Sequence, residues 1–146
     1  MKIGFKKGHK FYSPIVRTFT TSQWSHAAVW IGDNLYESTA LKGDKYKSGV
    51  RCYPISQEIS DEYEWFDCNV PDKLALERFN QISGCSYDYF SLLSFLTLKV
   101  RDSKRYYCYE LVLYMMTGNV NERATGEVLL THLARLQKAQ NGTNII

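Results

Sequence analysis

Cys108, His26 and Glu37 are the residues whose types and settings offer covalent chemistry. Cys108 stands near the start of Tyr106–Met116 (YYCYELVLYMM), a run apolar on nearly every side that reads as a buried helix. The first turn of a helix has N–H groups without intrahelical acceptors and about half a positive charge. Both favour thiolate over thiol, so a cysteine there can attack a carbonyl at neutral pH. The same N–H groups can hold the oxyanion that the attack creates. Such a cysteine needs a base within hydrogen-bond reach. His26 opens a short apolar segment, and Ala27 and Ala28 beside it leave room for another group to approach.

Each residue also has a plainer explanation. Free cysteine is among the most buried residue types, and position alone favours an inert Cys108. A lone histidine in an apolar strand is more often structural. For Glu37 the hairpin register decides. A two-residue Gly32-Asp33 turn sets it opposite Ala28, on the His26 face. An Asp33-Asn34 turn sets it opposite Trp30, again on that face, and a three-residue turn sends it to the other face. The remaining candidates carry less. His132 borders a stripe of Leu129, Leu133 and Leu136 as helix surface or core edge. His9 belongs to a solvated N-terminal loop. Cys52, Cys68 and Cys85 read as packing residues. Glu110, a carboxylate inside an apolar helix, must be hydrogen-bonded or exposed, and reads as holding a neighbouring loop.

The elements that must position these groups fall in two halves. The first half reads as strands: Met1–Phe5, Ser25–Ile31, Leu35–Ala40, Val50–Ile55 and Glu62–Cys68. Gly32-Asp33-Asn34 is a hairpin signal, and Pro54 confines its strand to an edge or its own end. Ser13-Pro14 opens a short helix. The second half reads as helices. Asp72 caps Lys73–Ile82 and Gly84 ends it; Asp88–Leu98 and Thr125–Lys138 follow on either side of the buried run. Strands first and helices later imply an α+β class, with an antiparallel sheet packed against helices.

Composition sets the outer bounds. The 146 residues suit one domain, 1–146, and 45% apolar content is enough for a core. Aromatics at 14% and charged residues at 23% exclude a disordered chain. A net charge of +3 is too mild to imply nucleic acid, and Lys6, Lys7 and Lys10 read as solvated surface. The cysteines are spaced 16, 17 and 23 residues apart, with no close pair, so no metal or other cofactor is expected. No run reaches the ~18 apolar residues of a membrane span. The start lacks the apolar stretch of a secretory leader, so reduced thiols and a cytoplasmic location are expected.

Taken in order, four motifs stand out. Trp24-Ser25-His26 leads a strand, and Tyr36-Glu37 lies in the next one. Gly84-Cys85-Ser86-Tyr87-Asp88 follows, and Tyr107-Cys108-Tyr109-Glu110-Leu111-Val112 comes last. The series resembles the circularly permuted NlpC-type cysteine hydrolases, the YaeF/YiiX-like branch of the papain-like fold. It is also similar to the lecithin-retinol acyltransferase-like proteins, in which the histidine again precedes the cysteine. The resemblance covers roughly residues 1–118. It implies a permuted papain-like fold, with Cys108 as nucleophile, His26 as base and Glu37 as the orienting third residue. Gly84, Tyr87 and Asp88 take a structural segment's place. One departure is Tyr109, where the family has a small serine after the nucleophile, which bears on substrate size; Ser38 after Glu37 is a milder one.

The expected activity is hydrolysis of an amide or ester through an acyl-enzyme, without a cofactor, on a small-molecule, peptide or lipid substrate. Two alternatives stay open. One is a lipid-directed acyltransferase or thioesterase using the same three residues. The other is a catalytically idle binding or structural module, for example in a bacteriophage-type assembly.

Overall fold

Alternation of side chains builds the sheet. The computed structural model describes residues 1–6, 24–39, 48–85, 107–119 and 124–143. The expected helices at Ser13-Pro14 and Asp88–Leu98, together with His9, Tyr87 and Asp88, lie outside the described residues. Five strands appear: β1 (Lys2–Lys6), β2 (His26–Ile31), β3 (Asn34–Thr39), β4 (Gly49–Pro54) and β5 (Glu64–Asp67). They form one antiparallel sheet in the order β4-β3-β2-β1-β5. Successive residues of a strand face opposite ways. Ile3, Phe5, Ala27, Val29, Ile31 and Tyr36 therefore enter the main core on one face. Ala28 and Leu35 enter a smaller apolar cluster on the other, with Tyr63, Tyr53, Ile55, Ile59 and Trp65.

Four helices complete the described residues: α1 (Gln57–Asp61), α2 (Asp72–Ile82), α3 (Cys108–Thr117) and α4 (Gly126–Thr143). The class is α+β, as the sequence implies. Helix α3 lies on β2 and β3 and contacts α2 and α4. Its Tyr109, Leu111, Val112, Leu113 and Met115 are essentially inaccessible to solvent, which accounts for its apolar circumference. The helix ends at Gly118, whose φ of 73° lies in the left-handed region that suits glycine. Arg78 of α2 donates to the carbonyls of Met115 and Met116 at 3.0 and 2.7 Å, placing a cation where the helix dipole favours one.

Several boundaries move. Asp72 does not cap α2. Pro71 occupies the cap position, and the Asp72 carboxylate is engaged at 2.7 Å by the Met1 ammonium. Helix α4 runs to Thr143, five residues past the expected end, and Thr125 caps it by accepting from Val128 N–H at 3.2 Å. Helix α1 escapes the hydrophobic pattern because it has no fully buried residue; its local signal is Ser56, whose Oγ accepts from Ile59 N–H at 3.3 Å. Pro54 is the last residue of edge strand β4, which satisfies both options its missing N–H leaves. Cys52 is exposed, not a packing residue.

Gly4 shows how closely the smaller cluster is built. It pairs with Ala28 on one side and Trp65 on the other, and the Trp65 indole lies across it. A Cβ at Gly4 would sit 2.5 Å from Trp65 Cζ3. Trp65 cannot swing away freely, because Tyr63 and Trp30 pack on it at 4.9 and 5.2 Å and its Nε1 donates to Ser60 O at 2.9 Å. Gly4→Ala is expected to lower stability by about 1–3 kcal/mol, the usual cost of overpacking. Urea denaturation checks this, and adding Trp65→Leu should recover part of the loss because the two sites touch.

Candidate active site

The hairpin turn decides where Glu37 goes. Ile31 pairs with Asn34 and Val29 with Tyr36, so the turn is the two-residue Gly32-Asp33 form. Gly32 takes a φ of 57°, which an L side chain rarely adopts. Continuing the ladder by one step sets Glu37 opposite Ala28, on the face that carries His26. Glu37 Oε2 and His26 Nε2 are 2.8 Å apart.

His26 is the first residue of β2, at the end of the sheet. There it is reached from both sides. Glu37 meets it on its own face. From the helix covering the opposite face, Cys108 lies close enough to the same ring to raise its pKa. With Nε2 engaged by Glu37, Nδ1 is the nitrogen left for sulfur. Cys108 and Glu37 are buried, and the His26 side chain is 14% exposed. The sequence-expected trio is thus brought together from β2, β3 and α3.

Helix α3 presents Cys108 as its first residue, after an extended Tyr107 at the cap (φ −92°, ψ 172°). The first backbone bond of the helix runs from Leu111 N–H to Tyr107 O, so the Cys108 N–H has no intrahelical acceptor. Glu110 closes a capping box at this end. Its Oε2 accepts from Tyr107 N–H at 3.3 Å, the N3 half of a capping box, and this satisfies a carboxylate that is otherwise buried. Tyr109 does not stand at the surface beside the sulfur. It is fully buried, and its hydroxyl donates to Trp24 O at 2.6 Å.

Two further residues belong to the site. Arg51 is paired with Glu37 across β3 and β4. It donates from Nε at 2.9 Å and from Nη2 at 2.6 Å, both to Oε1, and Tyr53 adds its hydroxyl to that oxygen at 3.1 Å. The sequence carries no turn signal that fixes the β3–β4 register, because a long connection joins them. Once β4 is placed, its alternation sends Arg51 and Tyr53 to the Glu37 face together. Ser38, the neighbour of Glu37, falls on the α3 face instead. His132 is half-buried on α4 and belongs to a different part of the chain. Among the described residues no group of three or more His, Cys, Asp or Glu is arranged to hold a metal, and no helix is long and apolar enough to cross a membrane.

The electrostatics follow from these contacts. Burial pushes the His26 pKa down, but the hydrogen bonds and negative charges of Cys108 and Glu37 outweigh it and raise the pKa to about 9. Burial raises the Glu37 carboxyl, but the His26 bond and charge, then those of Arg51, lower it to about 2. Tyr63, whose ring centroid is 6.2 Å from that of His26, has a phenol raised well above its usual value by burial first and by nearby negative charge second. No family model matches the sequence, and comparison with curated proteins finds no match.

These shifts give stability a pH signature. The depressed Glu37 contributes stability that is present above its ordinary 4.5 and is lost as pH falls toward about 2. The raised His26 contributes stability that is present below 6.5 and is lost as pH rises through about 9. Their contributions coincide between about pH 4.5 and 6.5. Thermal melting against pH should show both limbs, and Glu37→Gln should flatten the acid limb and shrink the alkaline one.

Proposed function

We propose that the chain is a cysteine hydrolase that cleaves an amide or ester carbonyl, with Cys108 as nucleophile, His26 as acid and base, and Glu37 as the residue that orients the imidazole. The observation that carries the reading is the row itself: imidazole and carboxylate hydrogen-bonded, the carboxylate fixed by Arg51 and Tyr53, and Cys108 at a helix start close enough to raise the imidazole pKa. Cys108 transfers its proton to His26. The thiolate attacks the carbonyl carbon, and the oxygen becomes an oxyanion facing the first-turn N–H groups. The C–N or C–O bond breaks, and the His26 imidazolium protonates the departing amine or alcohol. His26 then takes a proton from water, whose oxygen attacks the thioester. The acid is released and the thiol is restored.

The finer fold assignment belongs to the same proposal. The strand bearing the base precedes the helix bearing the nucleophile, which is the permuted papain-like order. A reducing, cytoplasmic setting suits four cysteines that are all free. A second reading, a catalytically idle module, draws on one observation: Cys108 is only 2% exposed.

Hydrolysis of a small activated ester and competition labelling with iodoacetamide at neutral pH test the two readings together. An active enzyme alkylates at Cys108 faster than at Cys52, Cys68 or Cys85. Cys108→Ala should abolish hydrolysis. His26→Ala should lower it by about 10²–10⁴-fold, the usual contribution of a positioned acid–base group. Glu37→Gln should lower it by less, since that residue acts through His26. Slow labelling at Cys108 and no hydrolysis would leave the idle module.

A further inference from the structure

The residues that lead His26 into the sheet are fixed one by one. Ser25 donates to Lys6 O of β1 through both its N–H at 2.9 Å and its Oγ at 3.0 Å. His26 is bonded to Glu37 of β3. Trp24 O accepts from the Tyr109 hydroxyl at 2.6 Å, across 85 residues of sequence. The last anchor differs in kind from the others, because Tyr109 belongs to α3 and directly follows Cys108. A closed circuit results. It runs from Cys108 to Tyr109 along the chain, from the Tyr109 hydroxyl to Trp24, and from Trp24 through Ser25 to His26, whose ring is coupled electrostatically to Cys108.

We propose that Tyr109 is the positioning residue that sets the separation between the Cys108 sulfur and the His26 ring. The proposal rests on the hydrolase reading above. A rigid phenol of fixed length bonds a backbone carbonyl, which cannot swing away as a side-chain acceptor would. Tyr107, on the other side of Cys108, donates to Ala124 O at 2.5 Å, so the turn carrying the sulfur is tied to backbone on both sides. Only the Tyr109 bond leads to the base. Its aromatic body is packed within the main core, while Trp24 rests on Phe5 at 5.5 Å between ring centroids. Small displacements matter here, since a misplacement of about 1 Å can lower a rate by about 10²-fold.

Among the described residues, the titratable and charged groups facing His26 are Cys108 on α3, Glu37 on β3, Lys6 on β1 and Tyr63 ahead of β5, with Arg51 and Tyr53 behind Glu37. Tyr109→Phe alters none of them. It removes one oxygen and releases Trp24 O. The experiment is the pH profile of iodoacetamide alkylation at Cys108, with NMR titration of His26, in wild type, Tyr109→Phe and both again with Cys108→Ala for the titration. Tyr109→Phe is expected to fold and to alkylate at Cys108 at least about tenfold more slowly near pH 6.5. The His26 pKa should fall when Cys108 is present and stay unchanged in the Cys108→Ala background. A folded Tyr109→Phe with the wild-type profile overturns the proposal, as does an equal His26 shift in both backgrounds. If Tyr109→Phe does not fold, Tyr109→Met replaces it as a second variant without the hydroxyl; if neither folds, the bond serves the fold and the positioning role is wrong. A wild-type Cys108 that reacts no faster than Cys52 overturns the hydrolase reading first, and that failure is visible without any Tyr109 variant.

Discussion

The imidazole of His26 stands where the two faces of the sheet meet. Glu37 stands on the face that carries the small aromatic cluster, and α3 covers the opposite face. Within a strand a side chain serves one face only. At the first residue of β2 that restriction ends, and the ring can touch a carboxylate on its own face and a thiol arriving from the other. The chain bends at Ser25, which is why Trp24 enters the main core with Phe5 although it has the same parity as His26. Ala27 and Ala28 keep both flanks of the strand low where helix and ring converge. Moving the strand start by one residue would send the base away from Glu37.

Charge explains why the row extends past Glu37. In the proposed reaction sulfur yields its proton to the ring, and the groups become thiolate, imidazolium, carboxylate and guanidinium, which sum to zero. Stopping at Glu37 would leave a net negative charge in a site where Cys108 and Glu37 are shielded from water. An uncompensated buried charge is strongly destabilising, whereas a paired and hydrogen-bonded one is tolerated. Arg51 supplies the balancing cation in a two-pronged contact, and Tyr53 supplies a donor without adding charge. Oε1 takes those three bonds, and Oε2 is left to His26. The carboxylate is thereby held ionised and aimed, so the imidazole cannot rotate off the sulfur without abandoning a charge-assisted bond.

What the sequence made legible was local. Gly32-Asp33-Asn34 marked the hairpin but left three turns open, two of which set Glu37 on the His26 face, and the observed register selects the Gly32-Asp33 form. The helix bearing Cys108 announced itself by an apolar circumference, and the strand order by alternation. The parts that stayed hidden depend on distant pairing. Arg51 meets Glu37 only through a β3–β4 register that no tight turn dictates. Asp72 looked like a cap because nothing local reveals that Met1 will claim its carboxylate. Helix α1 buries no residue fully and leaves no periodic trace. Tyr109 read as a bulky neighbour of the nucleophile, since the acceptor of its hydroxyl lies 85 residues away.

Helix α3 is stiff for reasons unrelated to chemistry, and the proposed chemistry draws on that stiffness. Its N-terminus is closed by Glu110 on Tyr107 N–H, and its C-terminus by Gly118 and the Arg78 guanidinium. Its sides are buried almost all round. The sulfur therefore sits on a platform that does not fray, although the first turn of a helix is ordinarily its loosest part. Fraying there would move the nucleophile and the oxyanion donors together. Capping also gives the buried Glu110 carboxylate, two residues from Cys108, a donor in the Tyr107 N–H. A site assembled from three elements keeps its geometry when each element is fixed by bonds to backbone. Ser25 on Lys6, Tyr109 on Trp24, Tyr107 on Ala124 and Glu110 on Tyr107 are all of that type.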